Sequence, residues 1–165
     1  MTAAGELVVT WSESADAPAL ERLFIAYRHF YGRSGDETRA AAFLRARLAT
    51  GESRVLAARS ADQVVGFCQI YREFSSLSLT VTWILNDLFV LPEARGLGAG
   101  RALVARTLRE ARAAGATAVV LETKSDNDVA QTLYRALGFA ESHRDGEFVH
   151  YRNDLQGGAM SDQEL

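Results

Sequence analysis

Cysteine is nearly missing from this chain: Cys68 is the one residue of its type. An intramolecular disulfide framework and a Cys-rich zinc site are therefore excluded. Lysine is as scarce, with Lys124 alone among 18 basic residues that are otherwise arginine. That bias is a habit of composition and identifies no partner. No apolar run approaches the ~18–20 residues of a membrane span, so no membrane partner is expected. The first residues carry neither a basic n-region nor an apolar h-region, so no secretory signal is visible and a cytoplasmic location is expected. Excess positive charge is also missing: the net charge is −3 and the pI is near 5.6. A dedicated nucleic-acid binder would show a basic face, so no nucleic-acid partner is expected. His29, His143 and His150 show no metal-ligand spacing in sequence. They are read as surface or structural residues, and no metal is expected.

What remains is ordinary globular material: 165 residues, 48% hydrophobic and 24% charged. That length and composition fit one domain, expected over residues 1–155, followed by a polar, aperiodic tail over 156–165. Residues 7–11 read as an opening strand. Asp16 and Pro18 mark a helix start, a cap followed by proline in the first turn. Leu20, Leu23, Phe24 and Tyr27 follow at helical spacing until the glycines at 32 and 35. A second helix fits 36–50, stopped by Gly51. Residues 54–59 and 64–74 read as a hairpin around a turn at 60–63. Residues 79–91 are β-branched and aromatic, too apolar for a sheet edge. A glycine turn then opens a helix to Ala114, residues 117–123 read as a strand, 127–137 as a helix, and two final strands form a hairpin. This order gives an α/β chain with a mixed sheet, its strands near 79–91 and 117–123 running parallel through a right-handed crossover. Cys68 falls inside a strand and reads as a small core hydrophobe.

The richest stretch is Leu88-Phe-Val-Leu-Pro-Glu-Ala-Arg95-Gly-Leu-Gly98-Ala-Gly100-Arg101. A buried strand runs into three glycines within five residues, and a helix follows at once. A helix N-terminus offers unpaired N–H groups and partial positive charge. Glycines let that backbone approach an anion closely, and Arg95 adds planar charged donors. The geometry suits a phosphate or pyrophosphate. A Walker loop would need Gly-Lys-Ser/Thr, and a dinucleotide fingerprint would need a third glycine at position 101; neither is present.

The pattern Arg95-x-x-Gly98-x-Gly100 resembles the coenzyme A-binding motif of the GNAT N-acetyltransferase superfamily, Arg/Gln-x-x-Gly-x-Gly/Ala. Asn86-Asp-Leu-Phe-Val-x-Pro-Glu before it is similar to that family's central strand. A second stretch, Asn127-x-x-Ala130-x-x-Leu133-Tyr134-x-x-Leu137-Gly138-Phe139, resembles another family segment. Asn127 and Tyr134 lie about two helical turns apart and so on one face. The resemblance covers residues 64–151, and it is closest to the branch that acetylates histones, polyamines and other small amines.

The resemblance implies a GNAT-like α/β fold with a mixed, centrally splayed sheet of about 6–7 strands flanked by about 4 helices. It implies direct transfer from acetyl-CoA to a primary amine of a small molecule or peptide, with no acyl-enzyme. The pyrophosphate would rest on Arg95, Gly96, Leu97, Gly98, Ala99, Gly100 and Arg101. The pantetheine arm would pair with Phe89 and Val90, and Asn127 would hydrogen-bond it. Tyr134 would protonate the leaving thiolate. Where the polyamine branch often carries Glu, this chain has Asn86, so the base falls to Asp87 or Glu122, through water or directly, or to solvent. Tyr27, Tyr31 and Glu73, with Asn86 and Glu122, would meet the acceptor, an aromatic–acidic wall suited to an amine cation. Homodimers are common among such proteins, so a homodimer is compatible. Bland alternatives stand beside these: a tight turn without a ligand, a packing role for Tyr134, helix capping by Asn127, and a structural role for Asp87. A non-catalytic acyl-CoA-binding regulatory module and a nucleotide-phosphate binder are the competing functions.

Overall fold

The computed structural model describes residues 6–155; the tail expected over 156–165 lies outside the described residues. The elements follow in the order β1 (Leu7–Trp11), α1 (Ala17–Phe30), α2 (Glu37–Thr50), β2 (Arg54–Ser60), β3 (Gln63–Ser75), β4 (Thr80–Val90), α3 (Ala99–Ala113), β5 (Ala118–Lys124), α4 (Asp128–Ala136), β6 (Ala140–Asp145) and β7 (Phe148–Asp154). Two short 3-10 turns, Ser14–Asp16 and Pro92–Ala94, precede α1 and follow β4. The seven strands form a mixed sheet in the order β1-β2-β3-β4-β5-β7-β6, with β4 at its centre. Among the described residues there are four α-helices, and the arrangement is the α/β, GNAT-like architecture that the resemblance implies.

Contacts divide the chain into two compact units. The first holds the residues up to Arg72 together with Leu85–Thr107. There β1, β2 and β3 make an antiparallel meander, Leu7 opposite Ser60 and Arg54 opposite Ile70. Val55, Leu56, Ala57 and Ala58 of β2 are all buried, so both faces of that strand are covered. Leu20, Leu23 and Phe24 share one face of α1 by their spacing. They pack with Leu44, Val55, Phe67 and Phe89 into a core. The opposite side of β3 turns Cys68 towards α3, its Sγ 3.5 Å from Thr107 Oγ1. The second unit holds Glu73–Ile84 and the chain from Leu108 onward. Here β4 runs parallel to β5 over Thr82–Ile84 and Ala118–Val120. Past Ile84, β4 passes into the first unit. β7 pairs antiparallel with β5 on one side and β6 on the other.

One local expectation needs correction. Asp16 does occupy the N-cap position of α1, but its side chain makes no capping hydrogen bond to that helix. The preceding 3-10 turn already holds its backbone in the helical region, at φ −79° and ψ −15°. A capping side chain needs an extended backbone to reach the first-turn amides. Asp16 instead accepts from Glu13 N at 2.8 Å and pairs with Arg59 at 2.5 Å.

Candidate active site

The glycine turn lies in the first unit. The Pro92–Ala94 turn ends β4, Arg95 is extended, and α3 begins at Ala99. Gly96 and Gly98 have φ of +81° and +84°, values that favour glycine. No atom lies within 4 Å of where a Cβ would stand on either, so the space above the turn is open. Ala102 N donates back to Gly98 O at 2.9 Å. Among the described residues, no protein acceptor takes the N–H groups of residues 96–101. These are the orphan donors of a helix start.

Arg95 braces the turn. Its Nε donates to Val90 O at 3.0 Å, and its guanidinium lies 5.6 Å from the Phe30 ring and 5.8 Å from the Phe89 ring. Leu91 N donates to Val65 O. By strand alternation the backbone groups of Val90 therefore face away from β3. Arg101, in the first turn of α3, is exposed.

A pocket of about 340 Å³ opens in the same unit, lined by Phe24, Tyr27, Tyr31, Tyr71, Asn86 and Asp87 among others. Asp87 is 5% exposed. Its Oδ2 accepts from Gln69 Nε2 at 2.6 Å and its Oδ1 from Asn86 Nδ2 at 3.1 Å. Gln69 is itself oriented by Ser53 Oγ, which donates to its Oε1 at 2.9 Å. A carboxylate has about four acceptor sites, so capacity remains for a proton donor arriving in the pocket. The Tyr71 phenol is pushed above its ordinary value by burial and by the Asp87 charge, which keeps it protonated. Tyr27 stands edge-on to Tyr31, Phe67 and Phe89 at centroid distances of 5.1, 6.1 and 6.3 Å. Arg28 forms one wall, held by two contacts to Asp36 at 2.5 and 3.0 Å. Arg33 lies at the same pocket.

The pocket thus gathers Tyr27, Tyr31, Asn86 and Asp87 from the residues singled out by sequence. It adds Gln69, Tyr71, Phe43, Arg28 and Arg33, which sequence reading passed over. One signal was available: Gln69 is a polar residue inside the apolar run of β3. Cys68 is excluded as a nucleophile, because burial pushes its thiol up to about 12.

The second unit holds the other candidates. Asn127 caps α4, its Oδ1 accepting from Ala130 N at 3.2 Å. Its amide nitrogen is the group left to meet a ligand. Tyr134, on α4, is 5% exposed, and its ring packs on Phe139 and Tyr151 at 5.8 and 6.1 Å. Gln131 ties the same helix to the turn before it by donating to Ser125 O at 2.9 Å. Glu73 is exposed near the end of β3. Glu122 is exposed on β5, its Oε2 3.6 Å from His150 Nδ1.

Comparison with known proteins bears on the fold and the family. The model of the acetyltransferase (GNAT) family matches residues 18–139. An N-acetyltransferase of Bacillus subtilis strain 168, YhfO, whose own role is uncharacterised, is 42% identical over 140 residues, covering 85% of this chain and 92% of that one. The crystal structure of a probable acetyltransferase superposes with a TM-score of 0.78 at 32% identity, over 94% of this chain and 99% of the other. The PaiA N-acetyltransferase of Thermoplasma acidophilum, solved with coenzyme A, reaches a TM-score of 0.69 over 90% of this chain and 99% of its own. At 15% identity that last likeness shows the fold alone. A family match over most of the chain, in a span that includes the glycine turn, makes this protein a member of the GNAT family, an acetyltransferase that takes its acetyl group from acetyl-CoA.

Proposed function

We propose that this enzyme transfers acetyl directly to the primary amine of a small molecule that enters the aromatic pocket over Asp87. The observation that carries the reading is the Asp87 carboxylate, buried and oriented by two amide donors at a pocket walled by Tyr27, Tyr31 and Tyr71. A buried carboxylate favours a cationic guest, and aromatic walls add cation–π attraction. A pocket of about 340 Å³ suits a small acceptor or one protruding side chain. Arg33 and Arg28 at its wall favour an acceptor that carries an anionic group beside the amine.

The acceptor arrives as an ammonium ion. Asp87 takes one proton, directly or through water, and leaves a neutral nitrogen. That nitrogen attacks the thioester carbonyl: a C–N bond forms and the C–S bond breaks. The second N–H proton passes to solvent, and Tyr134 gives its phenolic proton to the departing thiolate; after product release Asp87 returns its proton to solvent and Tyr134 regains one from it. Positioning supplies most of the acceleration. The diphosphate rests on the amides of residues 96–101, with Arg95 and Arg101 as charged partners. The Val90 N–H, facing away from β3, pairs with the pantetheine arm beside Phe89, and the Asn127 amide nitrogen donates to that arm.

Thiol release from acetyl-CoA, followed across a panel of small primary amines, amino acids, polyamines and lysine peptides, tests the reading. Release with small primary amines supports it, most of all with those bearing a carboxylate. Release only with hydroxyl or thiol acceptors would sink the amine assignment. Tight acetyl-CoA binding without release on any acceptor would favour a regulatory acyl-CoA-binding module instead.

A further inference from the structure

The β6–β7 hairpin carries a second group of chemically active side chains, apart from the residues assigned above. Its register sets His143 opposite His150 and Asp145 opposite Phe148, with an irregularity between Glu141 and His143. His143 and Asp145 are two apart on one strand, so their side chains leave one face. Cross-strand pairing adds His150 to that face. The two imidazole rings stack with centroids 4.0 Å apart and planes 9° apart. Asp145 Oδ2 lies 2.8 Å from His150 Nε2 and 3.9 Å from His143 Nε2. One donor atom from each of the three residues falls within 4.8 Å of the other two.

The other ring nitrogens decide what each imidazole presents to that oxygen. The Ser142 hydroxyl donates to His150 O at 3.2 Å. Towards His143 Nδ1, also 3.2 Å away, the same oxygen therefore accepts. In the tautomer in which His143 Nδ1 donates to the Ser142 hydroxyl, Nε2 is the ring nitrogen left on the side of Asp145. His150 Nδ1 faces Glu122 Oε2 at 3.6 Å, so a carboxylate stands ready to hold a proton there and leave Nε2 as a ligand. A proton on His150 Nε2 would satisfy Asp145 but leave His143 Nε2 facing a carboxylate. One cation between the three donors satisfies both rings at once. Glu122 Oε2 stands 3.6 Å from His150 Nδ1, and by closing about half an ångström it would become the carboxylate outer partner that metal-bound histidines usually have.

The geometry points to a binding site for a divalent first-row transition metal ion, with Zn²⁺ as the type case, on His143 Nε2, His150 Nε2 and Asp145 Oδ2, with water completing the shell. Imidazole and carboxylate donors select such ions over Mg²⁺ and Ca²⁺, which prefer all-oxygen shells. Tetrahedral zinc with bonds of ~2.0–2.2 Å puts neighbouring donors roughly 3.3 Å apart. His143 must therefore close on Asp145 by about half an ångström, and the two imidazoles must turn out of their near-parallel stack so that both Nε2 lone pairs converge on the ion. The side chains of His143 and Asp145 are 60% and 63% exposed, which leaves them room to do so. The bound ion would staple the exposed edge strand β6 to β7. Sequence alone hides the site, because the histidines lie seven residues apart and only the hairpin register brings them face to face.

Calorimetric titration of the untagged full-length chain with ZnCl₂ is expected to show about one equivalent bound. Binding should vanish in His143→Ala and His150→Ala and weaken about 10–100-fold in Glu122→Gln. His29→Ala should leave it unchanged, since that ring faces Glu37 on α2. Absence of Zn²⁺ heat in the parent protein overturns the site. So does an isotherm that survives both hairpin histidine replacements. If those variants do not fold, visible spectroscopy of Co²⁺ added to the parent protein decides. Intense tetrahedral bands uphold the site, and the pale spectrum of the aquo ion rejects it.

Discussion

Asp87 is held by amides rather than by cations, and that determines what its replacement does. In Asp87→Asn one amide group must face the Gln69 or Asn86 amide, which already donates to this position. A buried donor set against a donor costs about 1–3 kcal/mol, so Tm should fall. Turnover with a primary amine should fall further, by about 10²-fold or more for loss of a general base. Acetyl-CoA affinity by calorimetry should stay near the parent value, and unchanged turnover would remove Asp87 from the mechanism. Tyr134→Phe makes the complementary case. It should cost about 10²-fold in turnover at saturating acetyl-CoA while cofactor binding holds. Cys68 offers a chemical check on the core. Its folded pKa is raised from 9.0 to about 12, chiefly by burial. The stabilisation this gives is intact below the unfolded value and is lost as pH climbs through the folded one. The native thiol should resist iodoacetamide at about pH 8 and react only in denaturant; ready alkylation of the native protein would contradict its burial.

At the scale of elements, β3 crosses the end of β4 at Gly66. A Cβ there would stand 3.0 Å from Phe89 O and 3.1 Å from Val90 Cγ2. Backbone cannot move aside as a side-chain tip can, so Gly66→Ala should cost about 1–3 kcal/mol. It should also raise the KM for acetyl-CoA by shifting the backbone assigned to the pantetheine arm. A variant with parental Tm and KM would show that the two strands separate easily there. The elements themselves were legible in the sequence because their signals are local. Turn signals and a β-branched, aromatic run marked the strands, 3.6-residue spacing marked α1, and Gly51 at φ +69° closes α2 where a stop was read. The glycine turn was legible for the same reason, its parts being contiguous. The Asp87 pocket was legible only in part. The family resemblance pointed to Tyr27, Tyr31, Asn86 and Asp87, but Gln69 and Tyr71 join them from β3 through strand register and helix packing, which no short window of sequence encodes. The departure at Asp16 was hidden as well, since a 3-10 turn is too short to leave a period.

For the whole molecule, ligand linkage separates the thioester reading from a bare phosphate site. A ligand that binds only the folded chain stabilises it by RT ln(1 + [L]/Kd), about 2.7 kcal/mol at one hundred times Kd. For a chain of this size each kcal/mol moves Tm by about 2–4 °C. Acetyl-CoA at that excess should therefore raise Tm by about 5–11 °C. ATP and ADP carry the diphosphate but not the pantetheine arm, and the orphan amides of residues 96–101 are common to all three ligands. If those amides act alone, the nucleotides should match acetyl-CoA at equal concentration. If Val90 and Asn127 also engage the arm, acetyl-CoA should exceed ADP at matched concentration by several degrees. Gly98→Ala sharpens the comparison. Its φ of +84° strains any residue with a Cβ, and nothing lies within 4 Å of the added atom, so its cost is conformational, about 1–2 kcal/mol. That cost should lower Tm without ligand and also shrink the acetyl-CoA shift, because the turn amides then aim differently. A full acetyl-CoA shift in Gly98→Ala would move the diphosphate away from the turn.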